Sequence, residues 1–228
     1  MTFSAWEAIK KANYIVGYKT YINLIKDMLT DQQKVVSTGM RGEVERCQTA
    51  IRLALAGEIV AVISSGDAGV YGMAGLIYQL LFQDNISLQV TVIPGITASI
   101  AAASLLGAPL MHDHCSISLS DLLTPWEVIT KRIEAAAQAD FVIAFYNPRS
   151  RERTEHIEKA REILLKYRPP STPVGIVKNA FRTDQHITVS NLEEFTNCEI
   201  DMLSVVIVGN SQSFIKDGKI ITPRGYDL

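Results

Sequence analysis

A glycine-rich stretch with one carboxylate and one phenol is the part of the chain best equipped for chemistry. It spans residues 64–75 (SSGDAGVYGMAG) and directly follows the apolar run 59–63. Glycine allows close backbone approach to a ligand or a positive φ, and Asp67 and Tyr71 add polar groups. The stretch matches neither a P-loop nor the G-x-G-x-x-G dinucleotide fingerprint. It therefore predicts one of two things: a small-molecule site in the loop between a strand and the following helix, or a tight turn with Asp67 near a helix N-terminus.

Three other apolar runs also end in small or polar residues. The loops are Pro94-Gly95-Ile96-Thr97-Ala98, Tyr146-Asn147-Pro148-Arg149-Ser150 and Lys178-Asn179-Ala180-Phe181-Arg182. Ligands of open α/β sheets bind beyond the carboxyl ends of strands, and clefts between domains are preferred small-molecule sites. We therefore expect these loops and the glycine-rich stretch to line one ligand cleft between two α/β domains.

Basic side chains lie near these loops and would suit a substrate rich in carboxylates, because arginine binds carboxylates in a bidentate manner. The predicted substrate-binding residues are Arg41, Arg46, Arg149 and Lys178. For Arg151 and Arg153 the simpler interpretation is a solvated helix face that pairs with nearby glutamates.

Composition narrows the class of protein. The 228 residues carry a net charge of −2, so no global field favours nucleic acid or an anionic membrane. The three cysteines are widely spaced and form no C-x-x-C motif, which indicates a reducing, cytoplasmic compartment. Their thiols are then expected to be packing residues. His112-x-His114 lacks further ligands, so we expect no metal site. We also expect no membrane segment, since the longest apolar stretch is short and interrupted.

The elements that must position these loops alternate between strands and helices, which predicts an α/β fold with a largely parallel sheet. Strands are predicted at residues 14–17, 34–37, 59–63, 90–93, 116–120, 141–145, 174–177, 187–189 and 204–209. Helices are predicted near the start, with Ser4 to Glu7 as a capping box, and at 21–29, 43–56, 76–82, 97–106, 152–167 and from Thr124-Pro125 onward. The predicted domains are residues 1–110 and 111–228.

Taken together, these loops resemble the tetrapyrrole methylase family. The SGDAGVYG string at residues 65–72 and the SDLLTPW string at residues 120–126 are the most specific matches, and the similarity covers nearly the whole chain. The resemblance implies two α/β domains, a homodimer, and S-adenosylmethionine bound in the cleft. It also implies transfer of a methyl group to carbon 17 of a precorrin-3B or cobalt-factor III type tetrapyrrole, with ring contraction, in cobalamin biosynthesis.

The resemblance also implies roles for individual residues. Asp67 and Tyr71 are the predicted catalytic residues, with helix capping as the alternative for Asp67. The predicted donor-binding residues are Ser65, Gly66, Asp67, Val70, Thr97, Ala98, Asn147, Asn179 and Ala180.

One departure from the family pattern leaves a second hypothesis open. Family members normally begin with a strand and a Gly-x-Gly-Pro-Gly loop, and Met1-Thr2-Phe3-Ser4 aligns just beyond that loop. We therefore expect this strand and loop to be missing from the first domain. The alternative function is then a protein that binds the tetrapyrrole without turnover. A function in RNA modification is disfavoured because the chain has no net positive charge.

Overall fold

The computed structural model describes residues 1–39 and 42–227, which form two compact units. The first unit ends at Thr97 and the second begins at Ala98. The helix that opens the second unit packs into that unit's core through Ala102, Ala103 and Leu106. The division therefore falls before this helix, whereas the sequence-based boundary after residue 110, which stays a prediction, falls after it.

The first unit holds a three-stranded parallel sheet with the order β2-β1-β3. Its strands are β1 (Tyr14–Tyr18), β2 (Lys34–Thr38) and β3 (Val60–Ile63), and its helices are α1 (Phe3–Lys11), α2 (Lys19–Asn23), α3 (Glu43–Leu55) and α4 (Ala74–Gln83), with a 3-10 turn at Lys26–Met28. Ile15 packs with the α1 and α2 side chains, and Val16 packs with those of α3 and α4. Both faces of the sheet are thus covered, as parallel sheets require.

Several sequence expectations in this unit were wrong. Residues 90–93 form no strand, and within residues 1–39 and 42–227 β3 pairs with β1 alone. A β-branched run becomes a strand only beside a partner that takes its backbone hydrogen bonds, and Val90 instead packs by its side chain on the α3 and α4 core. The helix predicted at 21–29 is split between α2 and the 3-10 turn. The cap of α1 is Thr2, which accepts from the Ala5 amide, and not Ser4.

The second unit holds a five-stranded mixed sheet with the order β5-β6-β9-β7-β8 and a small sheet with the order β10-β11-β4. The strands are β4 (Gly107–Ala108), β5 (His114–Ser118), β6 (Val142–Tyr146), β7 (Pro173–Lys178), β8 (His186–Asn191), β9 (Ser204–Val208), β10 (Phe214–Lys216) and β11 (Lys219–Ile221). The helices are α5 (Ala98–Leu106), α6 (Trp126–Gln138) and α7 (His156–Leu164), with a 3-10 turn at Phe195–Asn197.

The two faces of the larger sheet carry different helices. Ile143 and Phe145 point toward α6 and α7, whereas Ala144 and Tyr146 lie in the core that contains α5. This alternation along β6 is the period-two pattern of a strand that is buried on both faces. The α/β class is confirmed.

The second unit also differs from the sequence expectations in detail. Among the described strands of the larger sheet, β5 and β6 are the only adjacent pair that is parallel, so a largely parallel sheet is correct for the first unit alone. The helix predicted at 152–167 is shorter because the loop before α7 has its own hydrogen bonds. Pro125, and not Thr124, is the N-cap of α6. Within the described part of the chain, no helix has the length and apolarity needed to cross a bilayer.

Candidate functional site

The loop after β3 is held in shape by the Asp67 carboxylate. One of its oxygens accepts the Gly95 amide at 2.7 Å, and the other accepts the Gly69 amide at 2.8 Å. These donors, Gly95 first, lower the pKa of Asp67 below its usual value. The carboxylate is therefore ionised at neutral pH and joins the glycine-rich loop to the Pro94-Gly95 turn.

Two glycines in this region occupy places that no other residue could fill without a shift. A Cβ built on Gly95 would lie 2.0 Å from the Gly66 carbonyl oxygen, and one built on Gly72 would lie 2.5 Å from the Ala68 oxygen. Real Cβ atoms never approach oxygen so closely. The glycine pattern is thus explained by backbone-to-backbone packing that closes the loop into a compact turn.

The loop presents two side chains to solvent at its tip. Tyr71 is 55% exposed and Val70 is 37% exposed. Tyr71 has a φ of 53°, the left-handed region that residues other than glycine seldom adopt. Ser65 and Thr97 are half-buried in the same unit. The predicted catalytic residue Tyr71 therefore presents an aromatic face to solvent from an unusual backbone conformation, next to the predicted donor-binding residue Val70.

Arg46 has a position that its predicted substrate-binding role did not anticipate. It is buried, its Nε donates to Thr38 Oγ1 at 2.9 Å, and its Nη2 donates to the Gly39 carbonyl at 3.1 Å. Because these bonds use the guanidinium to join α3 to the end of β2, Arg46 acts here as a structural clamp. Its contact with substrate stays a prediction, and Arg41 lies outside the described residues.

In the second unit, several predicted residues share one edge of the larger sheet. β5, β6 and β7 end at this edge and β9 begins there, because Ser118 pairs with Tyr146 and Lys178 pairs with Ser204. The Tyr146 hydroxyl accepts the Ser99 amide at 2.9 Å and donates to Ser99 Oγ at 3.0 Å. These bonds tie the start of α5 to the end of β6. The edge carries the predicted donor-binding residues Ala98, Asn147, Asn179 and Ala180.

The two predicted substrate-binding residues at this edge are engaged in ion pairs. Arg149 Nη2 lies 2.9 Å from Glu158 Oε1. Lys178 pairs with Glu199 and lies 2.9 Å from Asp201 Oδ2, and these partners raise the pKa of Lys178. Both side chains are partly exposed at this edge of the sheet, Arg149 to 25% and Lys178 to 22%.

Sequence reasoning missed Arg153 and His156. Arg153 was interpreted as part of a solvated helix face, but it precedes α7 and its side chain is only 10% exposed. His156 carried no recognised signal, yet its ring stacks on Trp126 with centroids 4.0 Å apart. The available signal was that the SDLLTPW string (residues 120–126) and the NPRSRER segment (residues 147–153) each follow a strand. These two strands, β5 and β6, are neighbours in the sheet.

Comparison with known proteins identifies the family of the chain. The family model described as "Tetrapyrrole (Corrin/Porphyrin) Methylases" matches residues 1–196. The chain is 58% identical to the cobalt-factor III methyltransferase of Priestia megaterium over 99% of its own length and 42% of that protein's length. It is 56% identical to a probable cobalt-factor III C(17)-methyltransferase of Salmonella typhimurium, over 100% of this chain and 94% of the relative.

A solved structure extends the likeness to three dimensions. The crystal structure of the methyltransferase CobJ superposes with a TM-score of 0.91 at 35% identity, and the match covers 98% of this chain and 93% of that one. The family model covers residues 1–196, and the alignments with the Priestia megaterium and Salmonella typhimurium relatives cover 99% and 100% of this chain. The chain belongs to the tetrapyrrole methylase family.

Proposed function

We propose that the chain transfers a methyl group from S-adenosylmethionine to carbon 17 of a precorrin-3B or cobalt-factor III type tetrapyrrole, with contraction of the ring, in cobalamin biosynthesis. The observation that carries this proposal is 56% identity over the whole chain to a relative named as a probable cobalt-factor III C(17)-methyltransferase. The chain spans 42% of the first relative's length, so any further activity of that protein is not assigned to this chain.

The loop after β3 fits a methyl donor of this kind. The close packing of Gly95 on Gly66 fixes the backbone of the loop that carries the proposed donor-binding residues Ser65, Gly66 and Val70. The donor supplies an electrophilic methyl group on a positive sulfur. Tyr71, which is 55% exposed, offers an aromatic face that attracts such a charge. Ser65, Val70 and Thr97 would complete the first unit's contacts.

The chain's own residues would contribute mainly by positioning. Methyl transfer is a displacement in which alignment of the two reactants provides much of the acceleration. Asp67 keeps the loop in one conformation through its two amide bonds. Because its lowered pKa keeps it ionised at neutral pH, it can accept hydrogen bonds but has no proton to donate.

The substrate's carboxylates would meet cations at the edge of the second sheet. Arg149 and Lys178 lie there with carboxylate partners already in place. A substrate carboxylate could therefore replace Glu158 or Asp201 with little change in local charge. Arg46 remains a proposed substrate-binding residue of the first unit, although its side chain is buried there.

The proposal extends to assembly and location. The family resemblance supports a homodimer. A cytoplasmic location agrees with the three cysteines, which form no disulfide among the described residues. The two predicted domains, residues 1–110 and 111–228, remain part of this proposal. Light scattering of the purified chain tests the dimer.

Titration calorimetry with S-adenosylhomocysteine separates the enzyme from the non-catalytic alternative. We expect one binding site per chain, because the family resemblance implies a single donor site. A chain that binds a cobalt-factor III substrate but shows no heat with S-adenosylhomocysteine at millimolar concentration would contradict the proposal and leave the tetrapyrrole-binding protein. That alternative is not favoured, since the closely similar relatives are named as methyltransferases.

A further inference from the structure

Two loops of the second unit meet in one cluster of hydrogen bonds. The first segment runs from Ser118, the last residue of β5, to Asp121, and the second runs from Asn147, directly after β6, to His156, the first residue of α7. We call this cluster the latch, and it consists of Ser118, Ser120, Asp121, Asn147, Arg153 and His156. Apart from Asn147, none of these residues has a role in the proposed function.

The guanidinium of Arg153 lies at the centre of the latch. Its Nη2 donates to the Asn147 carbonyl oxygen at 2.8 Å, and its Nη1 lies 4.0 Å from Asp121 Oδ1 and 3.5 Å from Ser120 Oγ. The Arg153 side chain is only 10% exposed, and burial lowers its pKa. Burying a cation is costly unless it is hydrogen-bonded. The hydrogen bond to Asn147 therefore offsets part of the cost of burying the Arg153 guanidinium.

The loop between Asn147 and Arg153 is also closed on itself. The Ser150 amide donates to the Arg153 carbonyl at 2.9 Å, and the Arg153 amide donates to Ser150 Oγ at 3.1 Å. These bonds return the chain toward the end of β6. The arginine side chain thus reaches Asn147 from a fixed backbone position.

Asn147 adopts an unusual backbone conformation. Its φ is 50°, in the left-handed region that residues other than glycine rarely adopt and that asparagine enters more readily than most. Its carbonyl oxygen is held by Arg153, and its side-chain amide donates to Ser118 Oγ at 2.9 Å. Partners from both loops therefore determine where Asn147 lies.

The far side of the latch is secured by His156. Its Nδ1 lies 2.9 Å from the Leu119 carbonyl oxygen, which can only accept, so Nδ1 carries the hydrogen. Its Nε2 lies 3.6 Å from Asp121 Oδ2, and its ring stacks on Trp126. Asp121 is thereby placed between the imidazole and the Arg153 guanidinium.

We propose that Arg153 is a positioning residue for the methyl donor, acting through Asn147. It holds the Asn147 peptide in the left-handed conformation in which that residue is presented at the end of β6. This inference rests on the proposed function, because Asn147 is one of its donor-binding residues. According to this inference, the SDLLTPW string and the segment after β6 both stabilise the conformation of Asn147.

The test compares Arg153→Ala, Arg153→Lys and the exposed-helix control Arg132→Ala. We expect Arg153→Ala to weaken S-adenosylhomocysteine binding by about tenfold, because Asn147 would then hold the binding-competent conformation in only about a tenth of the molecules. The KM for the donor should rise with it, while the KM for the tetrapyrrole changes less than about twofold. Arg153→Lys should restore part of the affinity, since lysine keeps a donor but loses the planar fork. The control should bind as the unmodified chain does.

A double-mutant cycle distinguishes positioning from a general loss of stability. Asn147→Gly removes the side chain but permits the same φ. If Arg153 acts through Asn147, the two substitutions are coupled, and adding Arg153→Ala to Asn147→Gly should change donor affinity by less than about threefold. Full additivity would overturn the inference. So would normal donor affinity in both Arg153 variants.

The same measurements separate failure of this inference from failure of the proposed function. Unchanged donor affinity in Asn147→Gly would show that the donor does not contact the Asn147 side chain, which contradicts that part of the proposed function. Weakened binding in Asn147→Gly, together with normal binding in Arg153→Ala, would overturn only the inference. If Arg153→Ala does not fold, Arg153→Lys and Ser118→Ala carry the test, since each disturbs one bond to Asn147 and leaves the core intact.

Discussion

At the scale of single residues, Asp67 illustrates how a predicted catalytic group can have a structural task. Its two oxygens accept the Gly95 and Gly69 amides and so connect two loops at the end of the first sheet. The sequence could place a carboxylate in a glycine-rich turn. It could not reveal the Gly95 bond, because that partner is distant in sequence. The helix-capping alternative named the right kind of interaction, amide donors to a carboxylate, but the wrong donors.

Asp67→Asn tests this interpretation at the same scale. The amide keeps one acceptor oxygen and loses the charge, so we expect donor affinity to fall several-fold and the free energy of unfolding to fall by about 1 kcal/mol at pH 7. The pKa of Asp67 is lowered from 3.8 in the folded chain. Its contribution is therefore complete above that pH and is lost as the pH falls below it.

Urea unfolding of Asp67→Asn and the unmodified chain at pH 7 and at pH 3 measures this effect. The stability difference should be present at pH 7 and should shrink at pH 3. A difference that grows on acidification would contradict a lowered pKa and with it the proposed role of the two amides.

At the scale of elements, local patterns located most strands and helices but not their partners. Runs such as Val60–Ile63 and Val142–Tyr146 are strands because they are apolar on both faces and are covered on both faces. Residues 90–93 have the same β-branched character and yet form no strand, since pairing depends on a neighbour that composition does not reveal. Strand direction in the second sheet was missed for the same reason.

Gly95→Ala and Gly75→Ala form a matched pair that tests the turn after β3. A Cβ at Gly95 would meet the Gly66 oxygen at 2.0 Å, whereas one at Gly75 would meet nothing within 4 Å. We expect Gly95→Ala to weaken S-adenosylhomocysteine binding by at least about tenfold, because the loop must move and the Asp67 bond is lost. Gly75→Ala lies in α4 and should bind normally, with stability raised by up to about 1 kcal/mol.

Calorimetry of both glycine variants, with thermal unfolding as the companion measurement, gives the answer. Equal donor affinity in the two variants would mean that the turn does not shape the donor site. Loss of affinity in Gly75→Ala alone would place the contact on α4 instead.

At the scale of the whole molecule, the family could be identified from the sequence, whereas the latch could not. The strings SGDAGVYG and SDLLTPW are distinctive, and the family model and the solved structure agree with that identification. The buried position of Arg153 could not be foreseen, since an arginine among glutamates usually lies on a solvated helix face. Which residues share the sheet edge became clear only from strand register.

Transfer of a carbon-13 methyl group tests the central claim most directly. The chain is incubated with S-adenosylmethionine labelled at its methyl carbon and with a cobalt-factor III substrate, and the product is examined by NMR and mass spectrometry. We expect one added methyl group, with the label attached to carbon 17 of a contracted ring. A label at any other ring carbon, or an unmodified substrate in the presence of bound donor, would contradict the account.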